Sequence, residues 1–315
     1  MGTPEILCVS KLPPFLMSDL QDHFQIHDHE HITDPGALGR IRAIVGGGES
    51  KIDKKLLSLF PAVEMVSIFG VGYDGVDIPT IQERGIRVTH TPGVLNDDVA
   101  DLALGLMLSV ARRIPQAHQF VRAGDWVDGP FPLARKLTGA RLGLVGIGRI
   151  GQAIAKRAAA FDMSIAYTSR NQRPDLPFTY YPSPKALAAQ VDFLVAITPG
   201  GDGTRGLINA EVLAALGPKG FLINVARGSV VDQPALIQAL KSKSIAGAGL
   251  DVYIDEPRVV PELRALDNVV LTPHMASGTM ETRRAMANLA LMNLQAHFSN
   301  QPLLTPIPEC PPPRE

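Results

Sequence analysis

Arg227, Glu256 and His274 each fall just beyond a run of aliphatic residues that reads as a strand. Arg227 follows Ile223-Asn224-Val225-Ala226, Glu256 follows Gly249-Leu250-Asp251-Val252-Tyr253, and His274 follows Val270-Leu271-Thr272-Pro273. In an open parallel sheet, ligands bind beyond the carboxyl ends of the strands. Order along the chain therefore gathers a guanidinium, a carboxylate and an imidazole on one rim. These types suit one kind of chemistry. An imidazole titrates close to neutrality and can give a proton to an alkoxide or take one from an alcohol. A carboxylate beside it favours the imidazolium and raises its pKa. A guanidinium grips a substrate carboxylate bidentately and polarises the carbonyl next to it.

The same rim carries a glycine-rich turn. Gly146-Ile147-Gly148-Arg149-Ile150-Gly151 follows the apolar run Arg141-Leu142-Gly143-Leu144-Val145 and opens a helical stretch, Gln152 to Ala158. Glycines permit the tight strand-to-helix turn, and the helix N-terminus offers N–H groups and a positive dipole end to a pyrophosphate. A second strand, Met163 to Tyr167, leads to Ser169-Arg170-Asn171-Gln172-Arg173. An acid at that place accepts from a ribose 2′-OH and repels a 2′-phosphate. Here Ser169, Arg170 and Arg173 present a hydroxyl and two guanidiniums, which bind phosphate. The dinucleotide expected is NADP(H), and the reaction is hydride exchange between a nicotinamide and a carbonyl carbon, with His274 as proton donor.

These residues need a frame, and 315 residues are enough for two domains. Lys+Arg number 30 against Asp+Glu 31, so nothing in the overall charge argues for nucleic acid, and any electropositive feature is local. Cys8 and Cys310 lack metal or redox spacing and read as free thiols in a reducing compartment. The opening Met1-Gly2-Thr3-Pro4-Glu5-Ile6 has no signal-peptide order, and the longest apolar run, Leu102 to Val110, is too short to span a bilayer. A soluble, cytoplasmic protein is expected, without membrane or nucleic-acid partners.

Strands are predicted at Ile6–Val9, Ala43–Val45, Met65–Ile68 and Arg87–Thr89, with helices at Ile52–Leu59 and Ile78–Glu83 between them. Thr91-Pro92-Gly93 breaks this alternation before a long helix, Val99–Arg112. Gln116 to Lys136 reads as irregular and carries the only tryptophan, Trp126, as an assembly arm. A second alternation runs from Arg141 to about Pro273, with further strands at Phe193–Ile197, Gly220–Val225, Ala248–Asp251 and Asn268–Leu271. A closing helix, Thr279–Phe298, precedes a proline-rich tail that cannot form a domain. His23, His27, His29 and His31 read as a solvated loop and not as a metal site. The fold class is α/β: two Rossmann-like lobes with parallel sheets, a central dinucleotide domain (residues 99–284) inserted in a discontinuous substrate domain (1–98 and 285–315). Two crossings and a cleft suggest a hinge.

Together these stretches resemble the D-isomer-specific 2-hydroxyacid dehydrogenases over essentially the whole length. The resemblance rests on Gly146–Gly151, Asn224-Val225-Ala226-Arg227-Gly228, Gly249–Tyr253 with Glu256-Pro257, and Thr272-Pro273-His274-Met275-Ala276-Ser277. It implies catalysis by Arg227, Glu256 and His274. It also implies substrate binding by Arg227, His274 and the backbone N–H groups of Val71 and Gly72, in the loop Phe69 to Asp77. Cofactor contacts are implied at Gly146, Gly148, Arg149, Ile150 and Gly151, then at Ser169, Arg170 and Arg173. Others fall at Thr198, Pro199 and Thr204, and at Ala226, Asp251 and Ser277. A dimer is implied as well. Thr198-Pro199-Gly200-Gly201 departs from the family, many members of which carry Pro-Leu there. The Ser-Arg…Arg cluster is similar to that of NADPH-dependent glyoxylate/hydroxypyruvate reductases and their hydroxyphenylpyruvate-reducing relatives. Reduction of small 2-oxo acids is the main expectation. Reduction of aromatic 2-oxo acids, and a nucleotide-sensing corepressor on the same fold, stay open as alternatives.

Overall fold

The first aliphatic runs form a parallel sheet from five short strands, each followed by a helix or turn. In chain order they are β1 (Glu5–Cys8), α1 (Pro14–Gln21), β2 (Gln25–Asp28), β3 (Ile41–Gly47), α2 (Lys54–Leu59), β4 (Met65–Phe69), α3 (Ile78–Arg84) and β5 (Arg87–Thr89). This is a computed structural model that describes residues 2–32 and 34–312. The sheet order is β2-β1-β3-β4-β5. Its central strands are buried on both faces, which is why they read as continuous apolar runs. Asp53 and Asp77 cap α2 and α3 by accepting from the N–H groups of Leu56 and Thr80.

Two elements here were not legible in the sequence. α1 begins at Pro14, and β2 is an edge strand of sequence Gln-Ile-His-Asp with little apolar signal. β2 corrects the solvated-loop reading for His27, whereas His23, His29 and His31 are exposed outside the strands. His27 lies on this strand with Nε2 2.8 Å from Glu5 of β1, and Arg40 reaches the other Glu5 oxygen at 2.6 Å.

The second unit begins with α4 (Asn96–Arg112) and α5 (Ile114–Ala123). Its sheet strands are β6 (Arg141–Val145), β7 (Ser164–Thr168), β8 (Thr179–Tyr180), β9 (Phe193–Ala196), β10 (Phe221–Asn224), β11 (Gly247–Leu250) and β12 (Val269–Leu271). The helices between them are α6 (Arg149–Ala159), α7 (Pro184–Ala188), α8 (Ala210–Leu216), α9 (Gln233–Lys241) and α10 (Pro261–Arg264). All pairs are parallel, in the order β12-β11-β10-β9-β6-β7-β8. The chain moves outward from β6 to β8, then returns to lay β9 against the other side of β6. That reversal is the topological switch point where such sheets bind ligands. α4 packs on β10, β11 and α6, and it comes close because Gly249 has no side chain. A Cβ there would lie 3.0 Å from that of Leu106.

α5 corrects the irregular reading of Gln116 to Lys136 over residues 116–123; apart from the short 3-10 turn Asp125–Asp128, the remainder is irregular as expected. Pro115 lies in its first turn and Gly124, in the left-handed region at φ 86°, ends it. None of its residues is buried, yet Ile114, Ala117 and Val121 fall at helical spacing, a signal the sequence did carry.

The chain closes with α11 (Met280–Phe298), capped by Thr279, which packs on β4 of the first unit. The two units meet in sequence at Leu95/Asn96 and Gly278/Thr279. The residues after α11 belong to the first unit, where Thr89 pairs antiparallel with Pro306 and Ile307 N–H donates to Val88 O at 3.0 Å. Cys8 and Cys310 are free thiols. Among the described residues, no helix is long and apolar enough to cross a membrane.

Candidate active site

β10, β11 and β12 end side by side, and the three ionisable residues read from the sequence follow them. Arg227 is set by a turn that Asn224 holds. The buried Asn224 side chain accepts from Ala226 N–H at 3.1 Å and donates to Arg227 O at 3.0 Å. Gly228 then passes so close to the next loop that a Cβ would lie 2.0 Å from the Tyr253 carbonyl carbon. No side chain is compatible with that approach. It brings Arg227 beside the turn that carries Glu256.

Both Glu256 carboxylate oxygens are engaged. Tyr253 N–H donates to Oε1 at 2.8 Å, and His274 Nδ1 lies 2.6 Å from Oε2. Burial pushes the Glu256 carboxyl pKa up. The bonds from His274 and Tyr253, with the charges of His274 and Arg227, outweigh this and hold it below the ordinary value. An ionised carboxylate only accepts, so His274 Nδ1 carries the proton of this contact.

His274 stands in the left-handed region at φ 49°, uncommon for a residue with a side chain. The surroundings impose it. Asp251, fully buried, accepts from Thr272 Oγ1 at 2.6 Å and from the N–H groups of Met275 and Ala276, each at 2.9 Å. His274 N–H donates to Asp251 O at 2.8 Å. The Tyr253 hydroxyl, its pKa pushed up to about 12 by burial, lies 2.9 Å from Thr272 O. Asp251, expected among the cofactor contacts, thus has its carboxylate taken up by loop donors. The sequence carried a signal for this: an acid directly after an apolar strand whose neighbours leave it no solvent.

The glycine turn lies at the switch point. Gly146 (φ 107°) packs on the chain leaving β9, where a Cβ would meet Ile197 O at 2.7 Å. At Gly151 a Cβ would meet Gly146 O at 2.6 Å, so α6 presses against the turn. Gly148 differs: a Cβ there would touch nothing within 4 Å. The first turn of α6 has no side-chain cap. Open space over uncapped N–H groups suits an anion, and a dinucleotide pyrophosphate fits. Arg149 is exposed and Ile150 half-buried.

At the end of β7, Ser169 Oγ donates to Asn171 O at 2.6 Å. Arg170 is exposed, whereas the Arg173 guanidinium forms two bonds to Asp175, at 2.8 and 2.6 Å. Thr204 Oγ1 donates to Pro199 O at 2.7 Å and so ties down the Thr198–Gly201 loop. Ala226 is buried and Ser277 half-buried on the same rim. In the first unit, Val71 and Gly72 are half-buried in the loop after β4, and the Val71 carbonyl accepts from His90 Nδ1 at 2.8 Å.

The chain is similar to known proteins over most of its length. The sequence model of the D-isomer specific 2-hydroxyacid dehydrogenase, NAD binding domain, matches residues 104–276. Glyoxylate/hydroxypyruvate reductase A of Arabidopsis thaliana is 49% identical over 307 residues, covering 96% of this chain and 98% of that protein. Hydroxyphenylpyruvate reductase of Plectranthus scutellarioides is 51% identical over 267 residues, 85% of each chain. The crystal structure of an NADPH-dependent glyoxylate/hydroxypyruvate reductase from Sinorhizobium meliloti, in complex with NADP and malonate, superposes with a TM-score of 0.94. It is 46% identical and covers 100% of this chain and 99% of that one.

The Glu256–His274 pair sets a pH dependence. Because the folded carboxyl lies below its ordinary 4.5, its contribution to stability is present above that pH and is lost as pH falls through the folded value. The melting temperature of the wild-type protein should exceed that of Glu256→Gln near neutrality, with the gap closing below pH 4.5. Thermal melts from pH 7 to pH 3 check this; a constant gap refutes it.

Proposed function

Because the chain belongs to the D-isomer specific 2-hydroxyacid dehydrogenase family, we propose that it reduces small 2-oxo acids such as glyoxylate and hydroxypyruvate with NADPH. The observation that carries the proposal is the 2.6 Å contact of His274 Nδ1 with Glu256, beside Arg227. It fixes a proton on Nδ1 and orients the ring, and Nε2 is the nitrogen we assign to proton exchange with the substrate.

The bound nicotinamide supplies the hydride that reduces the C2 carbonyl. His274 Nε2 gives its proton to the carbonyl oxygen as negative charge develops there. Glu256 keeps the ring oriented and offsets the charge of the imidazolium before the transfer. Arg227 binds the substrate carboxylate and polarises the carbonyl next to it. Val71 and Gly72 offer backbone N–H groups to the same anionic group. In the reverse direction neutral His274 takes the proton from the hydroxy acid.

The chain's own preference for NADPH rests on Ser169 and Arg170. Arg170 is exposed at the end of β7 and carries no ion pair among the described residues. The approach of a 2′-phosphate therefore breaks no existing salt bridge at this residue, and Arg173 adds positive charge from its place beside Asp175.

Two substitutions test these roles. His274→Gln should lower kcat by ~10²–10⁴-fold with glyoxylate while NADPH binding, followed by fluorescence titration, survives. Loss of binding as well would make His274 structural. Arg170→Asp puts like charge beside the 2′-phosphate and should move the NADPH/NADH preference in kcat/KM by at least about tenfold. Unchanged kinetics with both cofactors would remove Arg170 from the cofactor site. Including hydroxyphenylpyruvate in the panel decides whether aromatic 2-oxo acids are also accepted.

We also propose a homodimer built on the α5 arm. Trp126 is 68% exposed, Val127 90% and Leu133 101%, alongside exposed Ile114 and Val121 on α5. An apolar stretch of this kind marks an association surface. Sedimentation velocity should give a dimer for the wild type and a monomer for Trp126→Asp/Leu133→Asp; a monomeric wild type at micromolar concentration overturns the assignment.

A further inference from the structure

The substrate loop after β4 owes its orientation to groups outside it. Thr91 N–H donates to Gly70 O at 2.8 Å, and His90 Nδ1 lies 2.8 Å from Val71 O. A carbonyl only accepts, so His90 Nδ1 carries a proton and donates it. In a planar trans peptide the C=O and N–H point in opposite directions. Fixing Gly70 O therefore aims the Val71 N–H, and fixing Val71 O aims the Gly72 N–H. These are the two N–H groups assigned to the substrate carboxylate.

His90 is itself held from several sides. Its ring meets Tyr73 edge to face at 5.5 Å and 86°, and the Tyr73 hydroxyl donates to Glu309 at 3.0 Å. Its backbone is paired with the segment after α11: His90 N–H donates to Thr305 O at 3.2 Å, and Thr305 Oγ1 donates to His90 O at 2.6 Å. Thr305 is fastened in turn by Asn293 of α11, which is fully buried. The Asn293 amide donates to Thr305 Oγ1 and Leu289 O, both at 2.8 Å. Its oxygen accepts from the N–H groups of Leu304 and Thr305 at 2.9 and 3.1 Å.

We propose that His90 is a positioning residue for the reaction. Through Nδ1–H it locks the Val71–Gly72 peptide so that the Gly72 N–H faces the substrate carboxylate, with Thr305 and Asn293 as its support. This rests on the reading of the Val71–Gly72 loop as a carboxylate holder. The role belongs to binding rather than to the proton or hydride step, so it acts on KM.

The test compares His90→Phe, which keeps a ring against Tyr73 but lacks the donor, with His90→Asn, whose amide nitrogen can take the place of Nδ1. With saturating NADPH, His90→Phe should raise the glyoxylate KM about tenfold, the loss of one oriented hydrogen bond. Its kcat and its KM for NADPH should stay within about twofold, and His90→Asn should restore most of the glyoxylate KM. If His90→Phe fails to fold, Thr305→Val replaces it and should raise KM in the same direction, by loosening His90 from behind. An unchanged KM in the folded variant, or an Asn variant as poor as Phe, overturns the proposal. Gly72→Pro, which deletes the N–H itself, separates the two readings. If it raises KM where His90→Phe does not, only the role of His90 falls. If it leaves KM unchanged, the reading of the loop falls with it.

Discussion

The buried carboxylate of Asp251 organises the site more than any other single group. A carboxylate without water must find donors in the protein. Asp251 finds them in Thr272 and in the N–H groups of Met275 and Ala276. Meeting that demand curls the 272–276 segment around one point and leaves His274 in a left-handed conformation. The imidazole then comes within reach of Glu256, whose other oxygen is held by Tyr253 N–H. The acid that does not react thus sets the place of the residue assigned to proton transfer.

Close approach of backbones does comparable work elsewhere. Gly228 lets the end of β10 press on Tyr253, and Gly146 and Gly151 let α6 seat its N-terminus against the chain leaving β9. At these positions the absence of a side chain brings two segments together. Gly148 has the opposite use, since the space above it is open. Glycines within a few residues of one another therefore differ, some bringing backbones together and one leaving open space above a helix N-terminus, and only the geometry tells them apart.

Much of the frame was legible because buried parallel strands write themselves as apolar runs. The β5 bounds, Arg87–Thr89, stand as read, and β4, β9 and β12 shift by about a residue. The edge strand β2 lacked that signature, whereas α5 carried helical spacing at Ile114, Ala117 and Val121 that its proline- and glycine-flanked setting masked. Within the site, Arg227, Glu256 and His274 could be found because each is an ionisable residue just past a strand end. Asn224, Gly228 and His90 could not, because their roles depend on contacts made at a distance in the chain or on a backbone passing within a bond length or two. The Arg173–Asp175 pair was equally hidden: charge was visible in the sequence, and its local neutralisation was not.

The connectivity of the first unit bears on how the protein is made. Its sheet is encoded before Leu95, yet α11 on β4 and the strand-like segment beside β5 are encoded after Gly278. During synthesis the second unit leaves the ribosome whole, with every strand of its sheet available to pair. The first must wait, its β4 face uncovered and the β5 edge unpaired, until residues beyond Gly278 emerge. The support that Thr305 gives His90, and through it the Val71–Gly72 peptide, likewise depends on residues encoded after the whole of the second unit.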